Sequence, residues 1–156
     1  MTRTEKLNML FGEDYELIDL FPRAEGEGCQ DFINQAEQYF LQDGQLSQFC
    51  DRAVTLVLKL LCYYPFEMFV QEYIPFRSPR SGWLKDKRCE MVARIIRKVI
   101  MKKKGQVDIL LGKENSIISI TGGVLSIAVY NESESLKDLL DKVVETEGLY
   151  YWKYRV

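Results

Sequence analysis

The stretch VDILLGKENSIISITGGVLSIAVY, residues 107–130, decides the fold of this chain. Its apolar residues recur in short runs with a period of two, which is typical of β-strands. Glycine and polar residues separate the runs and predict short turns. Because turns of this length join antiparallel neighbours, we expect three consecutive antiparallel strands, at 107–111, 116–120 and 124–130.

A helix and a final strand follow these three strands. Five apolar residues at helical spacing predict an amphipathic helix over about 135–147, with one stripe formed by Leu136, Leu139, Leu140, Val143 and Val144. The alternation in 149–156 then predicts a strand with one aromatic face that includes Tyr150, Trp152 and Tyr154. We expect the stripe to pack against the sheet as the counterpart of this face, and Trp152 to lie beside Tyr150 or Tyr154.

Helical spacing dominates the chain before residue 105. It predicts helices over 31–43, 46–63 and 84–104. A further helix is predicted to begin at Pro65, with Phe66, Phe69, Val70 and Tyr73 on its apolar face. The helix 46–63 is apolar nearly all round, so we expect it at the centre of the core. Residues 14–21 are typical of either a short strand or a helical turn, and both interpretations stay open.

Together these elements predict an α+β fold, in which an N-terminal helical layer packs on a small, mainly antiparallel sheet. The C-terminal half has the order β-β-β-α-β. We expect a single domain over 1–156, since 156 residues is an ordinary length for one domain. Within it we distinguish a helical part (about 1–76), a segment 77–104 that consists of a basic hinge loop (77–82) and a long helix, and a β-rich part (105–156).

The charge of the chain is unevenly distributed, although its net value is only −2. Residues 1–76 contain 5 basic and 13 acidic side chains, and residues 105–156 contain 5 basic and 8 acidic ones. The segment 77–104 contains 11 basic and only 2 acidic side chains. A block of this kind indicates either an anionic partner or neutralisation by the acidic residues of 1–76.

The candidate binding surface consists of cations from this block: Arg77, Arg80, Lys87, Arg94, Arg97, Lys98 and Lys104. An acidic protein or a nucleic acid would suit such a surface. The motifs of the common nucleic-acid-binding modules are missing, and the sequence pI of about 5.3 is low for a dedicated nucleic-acid binder. External docking and internal neutralisation both remain open at this point.

Catalytic chemistry finds little support in the sequence. The chain has no histidine, which excludes histidine acid–base catalysis, serine–histidine and cysteine–histidine pairs, and histidine metal ligands. Gly112-Lys113 lacks the upstream glycine and the following serine or threonine of a phosphate-binding loop. We therefore expect no enzymatic activity, no cofactor and no metal.

The four cysteines indicate the compartment. No two of them have the CxxC spacing of a zinc or redox site. Cys50, Cys62 and Cys89 fall in apolar helical patterns and are expected to be reduced and buried, whereas Cys29 follows a glycine-rich loop and is expected to be exposed. No signal peptide and no apolar segment of membrane-spanning length is recognisable, so we expect a cytoplasmic protein.

Three hypotheses about function follow. The first is a non-enzymatic interaction protein, such as a regulator, an inhibitor or an immunity-type partner, that docks an anionic macromolecule through 77–104. The second is a nucleic-acid-associated factor that uses the same segment. The third, for which the sequence gives least support, is an enzyme whose site the fold assembles around Cys29, Cys89 or Asp108.

Overall fold

The computed structural model describes residues 1–26, 28–72 and 80–154. Within these residues five helices and seven strands follow one another along the chain: α1 (Arg3–Leu10), β1 (Tyr15–Asp19), α2 (Cys29–Phe40), α3 (Asp43–Leu61), β2 (Phe66–Glu72), β3 (Arg80–Trp83), α4 (Cys89–Lys102), β4 (Gln106–Leu111), β5 (Ser116–Thr121), β6 (Ser126–Tyr130), α5 (Glu134–Thr146) and β7 (Tyr150–Tyr154).

The strands form one sheet with the order β3-β2-β4-β5-β6-β1-β7. Every neighbouring pair is antiparallel. This confirms the predicted α+β class, and the β-β-β-α-β order of the last elements is also as predicted. Residues 14–21 contribute a strand, β1, which inserts between β6 and β7. The last strand therefore lies at an edge of the sheet and pairs with β1.

One face of the sheet carries the main hydrophobic core, against which α3, α4 and α5 pack. Helix α3 buries eight apolar side chains and is the central helix that its composition predicts: Leu46, Phe49, Cys50, Ala53, Val54, Leu56, Val57 and Leu60. The predicted stripe of α5 is confirmed, since Leu136, Leu140 and Val144 are buried while Leu139 and Val143 pack against the core from its margin.

The opposite face of the sheet carries a smaller cluster beneath α1. Leu7 of α1 packs with Leu110 and Ile117, which are opposite each other on β4 and β5. A capping box begins this helix: the Glu5 N–H donates to Thr2 Oγ1 (3.1 Å), and the Thr2 N–H donates to Glu5 Oε2 (2.8 Å). No periodic pattern in the sequence predicts this helix.

A row of paired residues crosses all seven strands on this second face. Its members, from one edge of the described sheet to the other, are Trp83, Phe69, Asp108, Ser119, Ala128, Leu17 and Trp152. One end of the row is covered by α1, where Thr4 Oγ1 accepts a hydrogen bond from the Trp83 indole (3.2 Å). The other end lies beside the cavity described below.

The helix predicted from Pro65 onward is wrong, because residues 66–72 form strand β2. Apolar residues in so short a segment fit both periods. In the sheet, Phe66, Met68 and Val70 face the helical layer, while Phe69 faces the opposite side. The predicted helical part, about 1–76, therefore contributes both β1 and β2 to the sheet, which becomes larger than the sequence indicates.

The predicted hinge at 77–82 and the predicted start of the long helix at residue 84 also differ from the structure. Residues 80–83 form the edge strand β3, and the Leu84 N–H continues the pairing by donating to the Met68 carbonyl (2.8 Å). Helix α4 therefore begins only at Cys89. The remainder of the hinge, residues 77–79, lies outside the described residues.

The expected aromatic partner of α5 is also different. Tyr151, opposite Ile18 on β1, packs against the core that α5 covers. Trp152 points to the second face, opposite Leu17. The aromatic face of β7 is thus directed away from α5, because the register on β1 places Ile18 in the helical core.

Close packing of two loops fixes the end of α4 against the sheet. The Gly122 N–H donates to the Gly105 carbonyl (3.0 Å). A Cβ atom at Gly122 would lie 2.7 Å from the Lys103 carbonyl carbon and closer still to the Lys104 nitrogen. Only glycine therefore allows the β5–β6 turn to approach the α4–β4 connection this closely.

This packing predicts that Gly122→Ala destabilises the protein by about 1–3 kcal/mol, as overpacking against rigid backbone does. The matched control is Gly112→Ala in the β4–β5 turn, where an added Cβ meets nothing within 4 Å. Urea denaturation measures both free energies of unfolding. Equal midpoints for the two variants would contradict the described contact between the two loops.

Candidate functional site

The cations of α4 project into solvent because the apolar residues of this helix occupy its other side. Val92, Ile96, Val99 and Ile100 are buried against the sheet and α3. Arg94, Lys98 and Lys102 follow one another at spacings of four residues, so they lie along one exposed stripe of the helix. Arg97 lies beside this stripe.

Two of these cations pair with acidic residues of the N-terminal part. The Arg97 guanidinium donates to Asp51 Oδ1 (2.8 Å) and lies 3.7 Å from the buried thiol of Cys50. Lys98 Nζ lies 3.1 Å from Glu72 Oε1 on β2. Both ion pairs are exposed, and pairs of this kind contribute about 0–1 kcal/mol to stability.

Two further cations of the block, one before α4 and one at its end, also pair with acidic residues of the N-terminal part. Lys87 Nζ lies 3.3 Å from Glu67 Oε1 and donates to the Phe66 carbonyl (3.0 Å). Lys103 Nζ lies 3.1 Å from Asp43 Oδ1 at the start of α3. Among the residues that the structure describes, internal neutralisation by residues 1–76 thus accounts for four cations of the block.

Other cations of the block have no such partner. Arg94, Lys102 and Lys104 are exposed, and the described part of the chain offers no carboxylate in ion-pair contact with any of them. Arg80 is the first residue of β3, and Arg77 lies outside the described residues. The structure therefore groups Arg94, Arg97 and Lys98 on α4 and places Lys87 apart from them, beside β2.

A cavity of about 540 Å³, which no motif in the sequence indicates, lies on the second face of the sheet. Strands β1 and β7 contribute Leu17, Asp19 and Trp152 to its wall, and α2 contributes Ile33 and Glu37. The connection after β1 and the β5–β6 turn complete the wall. The cavity exists because β1 pairs with β7, which is more than a hundred residues away along the chain.

Two carboxyl groups in this cavity have perturbed ionisation. Burial raises the pKa of Asp19 to about 6, and the negative charge of Glu37 adds to the rise. The hydrogen bond from the Phe21 N–H to Asp19 Oδ1 (3.0 Å) acts in the opposite direction. Burial also raises the pKa of Glu37. Such shifts in a concave site are typical of functional positions.

Cationic and aromatic groups meet at the same cavity. The Arg23 guanidinium carbon lies 5.8 Å from the centre of the Trp152 ring, within the range of a cation–π interaction. Asp19 and Glu37 form no ion pair with any cation that the structure describes. The cavity thus places two unpaired carboxyl groups near an indole that already contacts a guanidinium.

The residues considered for a fold-assembled enzyme site do not form one connected group. Cys29 and Cys89 begin two different helices, and both are exposed. Asp108 is buried in β4, where Ser119 Oγ (2.7 Å) and Gln106 Nε2 (2.9 Å) donate to its Oδ1. No hydrogen bond among the described residues connects either cysteine side chain to Asp108.

The four cysteines are free thiols. Cys50 is buried and Cys29 is exposed, as predicted, but Cys62 and Cys89 are exposed. Both lie where a helix ends or begins, so the apolar pattern of the helix does not carry them into the core. The described residues contain no group of three or more cysteine or carboxylate side chains arranged to hold a metal ion.

Within the same residues, no helix combines the length and the apolar character needed to cross a membrane. Comparisons of the chain with protein-family models, with curated proteins and with solved structures found no match.

The raised pKa of Asp19 predicts a pH-dependent effect of Asp19→Asn on stability. The pKa is about 6 in the folded state against 3.8 for an ordinary aspartate, so the native state holds the proton more tightly. The contribution of Asp19 to stability therefore falls as the pH rises through this interval. We expect Asp19→Asn to match the unmodified protein near pH 4 and to be more stable at pH 8.

Because Asp19 is partly exposed, solvent screens part of this effect. We expect Asp19→Asn to raise the free energy of unfolding at pH 8 by roughly 1 kcal/mol, or the Tm by about 2–4 °C for a chain near this size. Thermal melts at both pH values measure it. Asp14→Asn removes an exposed carboxylate from the segment before β1 and is the matched control. A gain at pH 8 that is no larger for Asp19→Asn than for Asp14→Asn would refute the described burial.

Proposed function

We propose that this chain is a non-enzymatic interaction protein that docks an acidic partner protein through the exposed cations of α4 and the residues that follow it. The observation that carries this proposal is the stripe formed by Arg94, Lys98 and Lys102, extended by Lys104. Arg94, Lys102 and Lys104 keep their charge available after the internal ion pairs have formed. Charge of this kind attracts and orients an anionic partner.

The flanking acids favour a protein over a nucleic acid as the partner. Asp51 and Glu72 contact the cations of α4 directly, and Glu90 lies on the same helix four residues before Arg94. A nucleic-acid backbone presents closely spaced phosphates and would meet these carboxylates as well as the cations. A partner protein whose carboxylates are spaced apart can contact Arg94, Lys102 and Lys104 one by one.

A cytoplasmic location is part of the proposal. Three of the four free cysteines are exposed to solvent. Exposed thiols persist as thiols in a reducing compartment and tend to oxidise or pair outside it. The proposed roles are those of a regulator, an inhibitor or an immunity-type partner, which act by occupying a surface of another protein.

A charge-reversal experiment tests the docking surface. The probe is a fluorescently labelled peptide of repeated Gly-Gly-Glu units, in which the carboxylates are spaced apart, with binding followed by anisotropy at about 50 mM salt, where electrostatic attraction is strong. We expect Arg94→Glu combined with Lys102→Glu to weaken binding at least about tenfold, equivalent to ~1.4 kcal/mol. Lys113→Glu combined with Lys142→Glu makes the same charge change on other elements and is expected to weaken binding far less.

Equal losses in the two double variants would show that net charge alone governs binding, and the proposed surface would be wrong. Duplex DNA serves as the second probe under the same conditions. If DNA binds the unmodified protein more tightly than this peptide does, and its affinity falls steeply with salt, the acidic-protein proposal gives way to a nucleic-acid partner.

A further inference from the structure

The cavity on the second face of the sheet is separate from the proposed docking surface and shares no residue with it. Its volume of about 540 Å³ lies within the range typical of small-molecule sites. Its wall combines apolar side chains, such as Leu17 and Ile33, with a few polar ones. This composition is characteristic of pockets that orient a ligand by a small number of polar contacts.

The charges in the cavity indicate which ligand chemistry suits it. Asp19 and Glu37 both line the wall, and neither forms an ion pair within the described part of the chain. Arg23 also lines the wall, but its guanidinium is directed to the Trp152 ring. A cationic group placed near the two carboxylates would offset their mutual repulsion and their incomplete solvation.

The indole of Trp152 provides a second, independent indication. The Arg23 guanidinium carbon, 5.8 Å from the ring centre, shows that this ring accommodates a cationic group at the wall of the cavity. Trp152 lies opposite Leu17 on the neighbouring strand, and both line the cavity. The two side chains thus offer an apolar surface for the uncharged part of a ligand.

A metal ion fits this cavity less well than an organic cation. Ca²⁺ and Mg²⁺ take six or more oxygen ligands in protein sites, and they depend on carboxylates and carbonyls for most of the ligands that are not water. The described residues contain no cluster of three or more candidate side chains. The apolar wall and the aromatic ring instead favour a cation with a hydrocarbon body.

We infer that this cavity binds a small organic cation, an amine or a guanidine, whose charged group lies near Asp19 and Glu37 and whose uncharged part contacts Leu17 and Trp152. Arg23 carries the same charge as the ligand and competes with it for the Trp152 ring. The inference does not depend on the proposed docking function.

Agmatine is the probe for the test, since it joins an ammonium and a guanidinium group by a short alkyl chain. Isothermal titration calorimetry measures its binding to the full chain at pH 8. We expect Asp19→Asn and Glu37→Gln each to weaken binding about tenfold, which corresponds to the loss of one charged contact. Asp14→Asn removes a carboxylate outside the cavity and is expected to leave the affinity within about twofold.

The variant Arg23→Ala tests whether the ligand of the cavity is a cation or an anion. If the ligand is a cation, removal of Arg23 leaves the agmatine affinity unchanged or increases it. Succinate, a dianion, is the contrasting probe and should not bind. The inference is overturned if agmatine does not bind the folded protein at millimolar concentration, if the cavity variants and Asp14→Asn behave alike, or if succinate binds and Arg23→Ala abolishes that binding.

Discussion

Burial of the β4–β5 strand pair on both of its faces is the constraint on which the rest of the structure depends. All residues of 107–111 and 116–120 are buried. The face with Ile109 and Ile118 needs the helical layer of α3 and α4, and the face with Leu110 and Ile117 needs α1. A slip of one residue would carry Asp108 into the apolar helical core, so the register has a single stable solution.

The sheet extends in both directions from this pair, and each extension contributes residues to a different surface of the protein. On one side, β2 places Glu67 and Glu72 against Lys87 and Lys98, which removes part of the positive charge of the block. On the other side, β1 lies between β6 and β7 and forms the wall of the cavity. The candidate docking surface lies on α4 over one face of this sheet, and the candidate ligand site lies on the other face, beside β1 and β7.

The sequence predicts the elements in which local pattern and tertiary environment agree. Strands β4 to β6 alternate clearly, and α5 has an unambiguous stripe, so all four were located. Segment 66–72 was predicted as a helix because its apolar spacing fits both the helical and the strand period, and pairing with β4 decides between them.

The charge of α4 was visible in the sequence, whereas the ion-pair partners of this helix, such as Asp51, depend on how α3 packs. The cavity was not predictable, since it requires the pairing of Leu17 with Trp152 across the chain.

Native-state hydrogen exchange of the backbone amides reports directly on the burial of β4 and β5 on both faces. Amides whose exchange requires global unfolding belong to the most protected elements of a fold. We expect the slowest exchange in 107–111 and 116–120, at rates set by global unfolding, and faster exchange in the edge strands β3 and β7. Exchange of the β4 amides as fast as that of β7 would contradict the account.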